Sequence, residues 1–330
     1  MSPKSFDPSG LQFAWDATSI SLAETCLRKY QLRMIEGWQP ARKSVHLIFG
    51  GHYATALEHF YKYRADGASI EDALRRVVRE AMIDSWDHEY GESPERDEGT
   101  PGMARARGSL VRLPGTGKPA VFDHPAKTRP NLIRSIIWYV DQFADESSDG
   151  IQTYHLANGK PAVELSFTLN VTEDIVFCGH LDRVVSYAGD LYVMDQKTTG
   201  STISPRFFEG FKPDVQMSMY TFAGKAVLQT PVKGVIIDGA QIAGGFTRFE
   251  RGFTFRTAAE LEEWFNASLD TIHRAREATA TGYFPMNRTA CGNYGGCEYR
   301  HICSRSPEVR PQFLKAEFTQ GPRWDPLERR

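Results

Sequence analysis

The stretch from Ala162 to Lys197 constrains the fold most. Ala162 to Leu169, Phe177 to Val185 and Leu191 to Lys197 each read as a strand, with apolar runs bounded by turn residues. Tyr187 to Asp190 reads as the turn of a hairpin joining the last two. Such strands must bury a face, and helical patterns on both sides supply the cover. Thr18 to Tyr30 places Leu22, Cys26 and Tyr30 on one face, with Arg28, Lys29 and Arg33 opposite. Gly50-Gly51 opens a helix with the stripe Phe49, Tyr53, Ala56, Leu57 and Phe60, and Ile70 to Trp86 is amphipathic. Further helices are expected over Leu132 to Phe143, Asp214 to Leu228 and Thr257 to Thr279, and an apolar strand over Val232 to Ala240. Helices alternating with a strand cluster, without repeats, predict a single α/β domain over residues 1–330. From Gly91 to Pro130 Pro, Gly and charge replace apolar periodicity, so about 91–130 reads as a long insertion or mobile loop. Its Arg105, Arg107, Arg112, Lys118, Lys127 and Arg129 either touch a phosphate backbone or, as the ordinary reading has it, face solvent.

Within that sheet two carboxylates and a lysine fall together. Asp195 and Lys197 are two apart and point to one face of their strand, and Asp182 lies near the end of the preceding one. Two acidic oxygens sharing a divalent cation beside an ammonium group suit phosphodiester hydrolysis. An isolated Asp-x-Lys is a common pattern, and an exposed salt bridge at a strand end is its ordinary reading. Asp195, however, follows the apolar run Leu191, Val193 and Met194, where an unpartnered carboxylate is costly. Thr198, Thr199 and Gly200 then leave room for a large anion.

The chain has 330 residues, 41% of them hydrophobic, enough for a substantial core. A net charge of −2 provides no global attraction for nucleic acid, so binding must rest on local basic clusters. No long apolar run and no signal-peptide pattern is present, and a cytoplasmic protein without membrane contact is the expectation. Gly115-Thr-Gly-Lys118-Pro lacks the spacing and hydroxyl residue of a phosphate loop, which argues against an ATPase, and helicase motifs are absent.

Structural disulfides are not expected in that compartment, so the five cysteines need another role. Cys291, Cys297 and Cys303 share a Gly-rich segment, 291–303, and Cys26 is a fourth candidate far away in the chain. Four thiolates suit a [4Fe–4S] cluster or a tetrahedral zinc. Cys178, in an apolar strand, reads as a buried inert thiol.

Together these motifs resemble the PD-(D/E)XK nuclease superfamily, in its RecB-like and Cas4-like exonuclease branch with an iron–sulfur cluster. The likeness runs from about Ser19 to Cys303. Ser21, Cys26, Arg28, Lys29 and Tyr30 match the opening signature, and Gly179 to Asp182 the Gly-x-x-Asp motif. Asp195 and Lys197 match the acidic-x-Lys motif, Gln216 and Tyr220 a Gln-x3-Tyr motif, and Cys291, Cys297 and Cys303 the closing cysteines. The resemblance implies a restriction-endonuclease-like mixed sheet flanked by helices, with the cluster joining the N- and C-terminal segments. It implies a Mg²⁺- or Mn²⁺-dependent deoxyribonuclease acting on single strands or duplex ends, with any helicase or recombination partner a separate protein. Asp182, Asp195 and the Gln196 carbonyl would hold the metal, Lys197 would position water, and Gln216 and Tyr220 would orient Lys197 or a phosphate. Glu164 is either a further metal contact or a surface carboxylate, and His180 is a strand-surface residue.

One position departs from the pattern. Phe49-Gly50 and Leu57-Glu58 align with a helix motif whose metal-binding histidine falls here at Ala54. His52 and His59 lie about 200° and 140° around the helix from it. Either one of them substitutes, or a ligand is missing and activity is reduced. The alternative function is then a catalytically impaired nuclease fold acting as a nucleic-acid-binding or assembly module.

Overall fold

The computed structural model describes residues 10–40, 44–85 and 126–328, together with Phe6 and His124. Strand β5 (Val176–Tyr187) is its hub. Along one edge β5 pairs antiparallel with β4 (Val163–Asn170) and β3 (Gln152–Thr153). Along the other it pairs parallel with the short β1 (Ala14–Trp15) and then antiparallel with β6 (Asp190–Thr199). Beyond β6 lie the parallel β7 (Val232–Ile242) and the antiparallel β8 (Thr247–Phe255), giving a mixed seven-stranded sheet. The β6–β7 crossover carries the short α7 (Pro205–Glu209) and α8 (Val215–Leu228), the expected route between parallel neighbours.

Both faces are covered. On one, Met217 and Ala223 of α8 and Ile272 and Ala275 of α9 (Ala258–Thr281) pack on Val184, Val193, Val235 and Ile237. On the other, α3 (Val45–Ala65), α4 (Ile70–Asp84) and α5 (Arg129–Phe143) share a second core, and the short α6 (Glu146–Asp149) follows α5. The stripe expected on α3 is the one buried there: Phe49, Tyr53, Ala56, Leu57 and Phe60. The mixed sheet between helical layers matches the expected α/β, restriction-endonuclease-like architecture.

Several boundaries move. Gly50 and Gly51 sit inside α3 rather than opening it, because the helix starts at Val45. The helix expected over Thr18 to Tyr30 breaks at Cys26, whose extended backbone separates α1 (Ala17–Thr25) from α2 (Leu27–Tyr30). Most of the 91–130 insertion lies outside the described residues, with its Arg105, Arg107, Arg112 and Lys118. Its end is structured: Lys127, Thr128 and Arg129 are buried, and Thr128 caps α5. Strand β8 goes unread in the sequence because Arg248, Glu250 and Arg251 interrupt its apolar alternation on a half-exposed edge.

The chain ends meet through the polypeptide itself. β2 (Trp38–Pro40) pairs antiparallel with β9 (Phe318–Gln320), and the buried Tyr299 hydroxyl donates to the Trp38 carbonyl at 2.5 Å. Lys29 reaches Glu298 at 2.9 Å, and Arg28 Nε donates to the Phe284 carbonyl. Among the described residues, no helix is long and apolar enough to cross a membrane.

Candidate active site

The β5–β6 ladder begins at Arg183↔Met194. Asp182 and Asp195 face each other one step beyond it, where the two strands start to part, so both carboxylates point to the same side. Glu164 falls opposite Asp182 on β4, between the paired Val163↔Arg183 and Leu165↔Leu181. Its φ of +49° is left-handed, unusual for a residue other than glycine. Three carboxylates thus lie in a row across β4, β5 and β6. Gly179 permits this stretch of β5 to pack closely, since a Cβ there would lie 3.0 Å from the Phe167 ring.

Helix α8 runs over the same face and closes a chain of hydrogen bonds. Lys197 Nζ stands 2.5 Å from Asp195 Oδ2 and donates to Gln216 Oε1 at 2.9 Å. Gln216 Nε2 donates to the Tyr220 hydroxyl at 2.9 Å, and that hydroxyl donates to Asp182 Oδ1 at 3.3 Å. The Gln196 N–H donates to Asp182 Oδ2 at 3.3 Å. The two side chains of α8 meet because they are four apart, and Asp214 caps the helix by accepting from the Met217 N–H. Asp195 is 1% exposed; among the described residues its Oδ1 accepts no hydrogen bond, while the Lys197 ammonium holds Oδ2.

Burial and crowding by like charge set the protonation of this group. Burial, opposed by Lys197 and reinforced by Asp182, pushes Asp195 up to about 7. Burial, opposed by Lys197 and reinforced by Glu164, pushes Asp182 up to about 6. Burial acts to lower the Lys197 pKa, but Asp195, Asp182 and Asp214 outweigh it and raise it, so the ammonium stays charged. A family model for the PD-(D/E)XK nuclease superfamily matches residues 14–304, most of the chain. The chain belongs to the PD-(D/E)XK nuclease superfamily. No curated protein matches it.

PD-(D/E)XK nucleases typically use Mg²⁺ or Mn²⁺, and this site offers such an ion two carboxylates, Asp182 and Asp195. Among the described residues no three His, Cys, Asp or Glu side chains converge on a metal position. Asp182 and Asp195 would therefore supply two carboxylate ligands, with the Gln196 carbonyl and solvent completing the shell. That suits a hard ion that retains waters, and the orphaned oxygen of the buried Asp195 is a donor without another role.

His52 and His59 are both engaged with α4. His59 Nδ1 bonds Glu80 of α4 at 2.8 Å, and His52 feels Asp84 at the end of α4, with burial pushing its pKa down. Both face α4. Ala54 lies one turn from Gly50, which abuts β6: a Cβ on Gly50 would stand 3.3 Å from Thr198 Oγ1. The face of α3 turned toward the PD-(D/E)XK site therefore carries alanine where a histidine is expected. His180 bonds Ser166 across the strands at 2.9 Å, as a strand-surface residue does.

The four cysteines come to one corner without forming a closed ligand set. Cys26 Sγ accepts from the Asn287 N–H, Cys291 donates to the Asn287 carbonyl, and Cys297 and Cys303 pack on the Tyr299 cluster. The thiols are engaged with backbone and core, and all five cysteines are free. Burial pushes the Cys303 thiol up, with Cys297 and Cys26 adding to the rise. Cys178 is buried, with burial raising its pKa, as an inert thiol should be. Strand register sets Glu164, expected either as a further metal contact or as a surface carboxylate, opposite Asp182.

Proposed function

We propose that this protein is a Mg²⁺- or Mn²⁺-dependent deoxyribonuclease that hydrolyses phosphodiester bonds at single strands or duplex ends. The observation that carries the reading is the continuous chain Asp182–Tyr220–Gln216–Lys197–Asp195, which positions two carboxylates and leaves a buried oxygen of Asp195 without a hydrogen bond. Asp182, Asp195 and the Gln196 carbonyl would hold the cation, which when bound polarises the phosphate and lowers the pKa of water. Lys197, kept charged by its neighbours, acts as a donor to water or to a phosphate oxygen rather than as a base. Gln216 fixes the direction of that ammonium, and Tyr220 fixes both Gln216 and Asp182.

A second reading rests on Ala54. With neither His52 nor His59 turned toward the site, one ligand is missing, and a weakly active or inactive fold would serve as a nucleic-acid-binding or assembly module. Titrating Mg²⁺ and Mn²⁺ with labelled single- and double-stranded DNA, using wild type, Ala54→His and Lys197→Ala, separates the two. Cleavage abolished by Lys197→Ala supports the nuclease. Cleavage in neither the wild-type nor the Ala54→His background, with binding retained, supports the module.

At the cysteine corner we propose a [4Fe–4S] cluster, with zinc as the alternative, held by Cys26, Cys291, Cys297 and Cys303. Four half-buried thiols drawn from both chain ends motivate it, although among the described residues they do not converge on one metal position. Iron, sulfide and zinc analysis of the purified protein, with its visible absorbance, tests this. Any helicase or recombination partner would be a separate chain.

A further inference from the structure

Lys127 is the buried charge that the candidate active site leaves unused. It is 2% exposed, and its ammonium has no hydrogen-bond partner among the described residues. It lies 4.7 Å from the centre of the Phe49 ring, a cation–π contact that partly compensates its desolvation. Burial pushes its pKa down to about 8, and no carboxylate among the described residues offsets the shift. His46 and His124 meet beside it, their ring centres 4.8 Å apart, and Lys127 and His124 both act on His46.

This cluster stands at the N-terminus of α3, a helix of 21 residues that begins without a side-chain cap or an acidic residue in its first turn. Free N–H groups and the helix dipole favour an anion there. His46 and Gly50 are four apart and share a face of α3, and Gly50 approaches Thr198, the residue after Lys197. The Lys127, His46 and His124 cluster therefore sits about one helical turn, roughly 5 Å, from the rim of the carboxylate site.

We propose that Lys127, with His46, His124 and the α3 N-terminus, forms a subsite for a nucleic-acid backbone phosphate that flanks the scissile one. An unpaired buried ammonium is costly, and its flexible four-carbon stem lets it turn toward an arriving phosphate. A merely structural lysine would be expected to hold a carboxylate or carbonyl. The inference rests on the nucleic-acid substrate proposed above, and its test separates the two.

Binding of a fluorescent single-stranded oligonucleotide is measured in Ca²⁺ across a salt series for wild type, Lys127→Met and Lys127→Arg, beside a cleavage assay in Mg²⁺ and Mn²⁺. The expected result is affinity about tenfold weaker in Lys127→Met, a salt slope lower by about 0.7, and substantial recovery in Lys127→Arg. Lys127→Met is also expected to melt at a higher temperature, because it removes an unpaired buried charge, so weaker binding cannot be ascribed to misfolding. Oligonucleotides with and without a 5′-phosphate decide the source: an equal effect on both assigns an internal phosphate, and an effect confined to the phosphorylated strand a terminal one. Wild-type affinity and slope in Lys127→Met overturn the subsite, as does absence of binding by wild type. Absence of cleavage with the binding difference intact overturns only the nuclease reading.

Discussion

Asp195 is held between two demands, a buried position on β6 and a charge that a cation needs. Its pKa near 7, and that of Asp182 near 6, stand above the ordinary 3.8 of an aspartate. Between about 4 and 7 the folded protein thus binds more protons than the unfolded chain, so the metal-free protein loses stability as pH rises through that window. Divalent ions compete with those protons. Calorimetric titration from pH 5.5 to 7.5 should show Mn²⁺ affinity rising, with protons released on binding at the acid end; a flat profile would argue against Asp182 and Asp195 as ligands. Tyr220→Phe removes the hydroxyl that joins Gln216 to Asp182, and steady-state cleavage should fall about 10–100-fold. Asp195 and Lys197 were legible from their spacing on one strand and Asp182 from the preceding strand of their hairpin, whereas Gln216 and Tyr220 were singled out through the family resemblance. Glu164 was legible only as one of two alternatives, and Lys127 only as one of several basic residues of a stretch read as a solvated loop. The position of Glu164 follows from strand register, and Lys127 ends a stretch whose composition resembles a loop.

Among the elements, α3 carries the consequences that matter most for activity. Its apolar stripe was readable from the 3.6-residue period, while its start was not, because two adjacent glycines imitate a boundary. They lie inside the helix, where Gly50 allows close approach to Thr198. The partners of His52 and His59 depend on how α3 packs against α4, which residue spacing alone does not encode. Ala54→His should raise Mn²⁺ affinity and the cleavage rate. His59→Ala should leave cleavage unchanged and lower stability by less than about 1 kcal/mol, since its ion pair with Glu80 is partly exposed. Leu57→Ala, at 0% exposure in the core beneath the same helix, should cost about 2–5 kcal/mol in denaturant unfolding.

At the scale of the molecule, chain closure and metal binding are separable. The β2–β9 ladder and the Tyr299 to Trp38 hydrogen bond join the ends without a cluster. Tyr299→Phe leaves a buried carbonyl unpaired and should lower stability by about 1–3 kcal/mol whatever the iron content. Cys297→Ala should lower stability markedly only in protein that carries a cluster or zinc; unchanged stability with unchanged metal content would remove the cysteines from that role. The sheet-and-helix architecture was readable from alternating patterns, whereas the terminal ladder was not, because two three-residue strands carry no periodicity.

The carboxylates and lysine at the β5–β6 fork are proposed to perform metal-dependent phosphodiester hydrolysis. Single-turnover cleavage of end-labelled single-stranded DNA at saturating Mn²⁺, comparing wild type with Asp195→Asn, tests that proposal. Metal-dependent cleavage that falls at least about a hundredfold in Asp195→Asn is the predicted result. Equal cleavage by both proteins would contradict it.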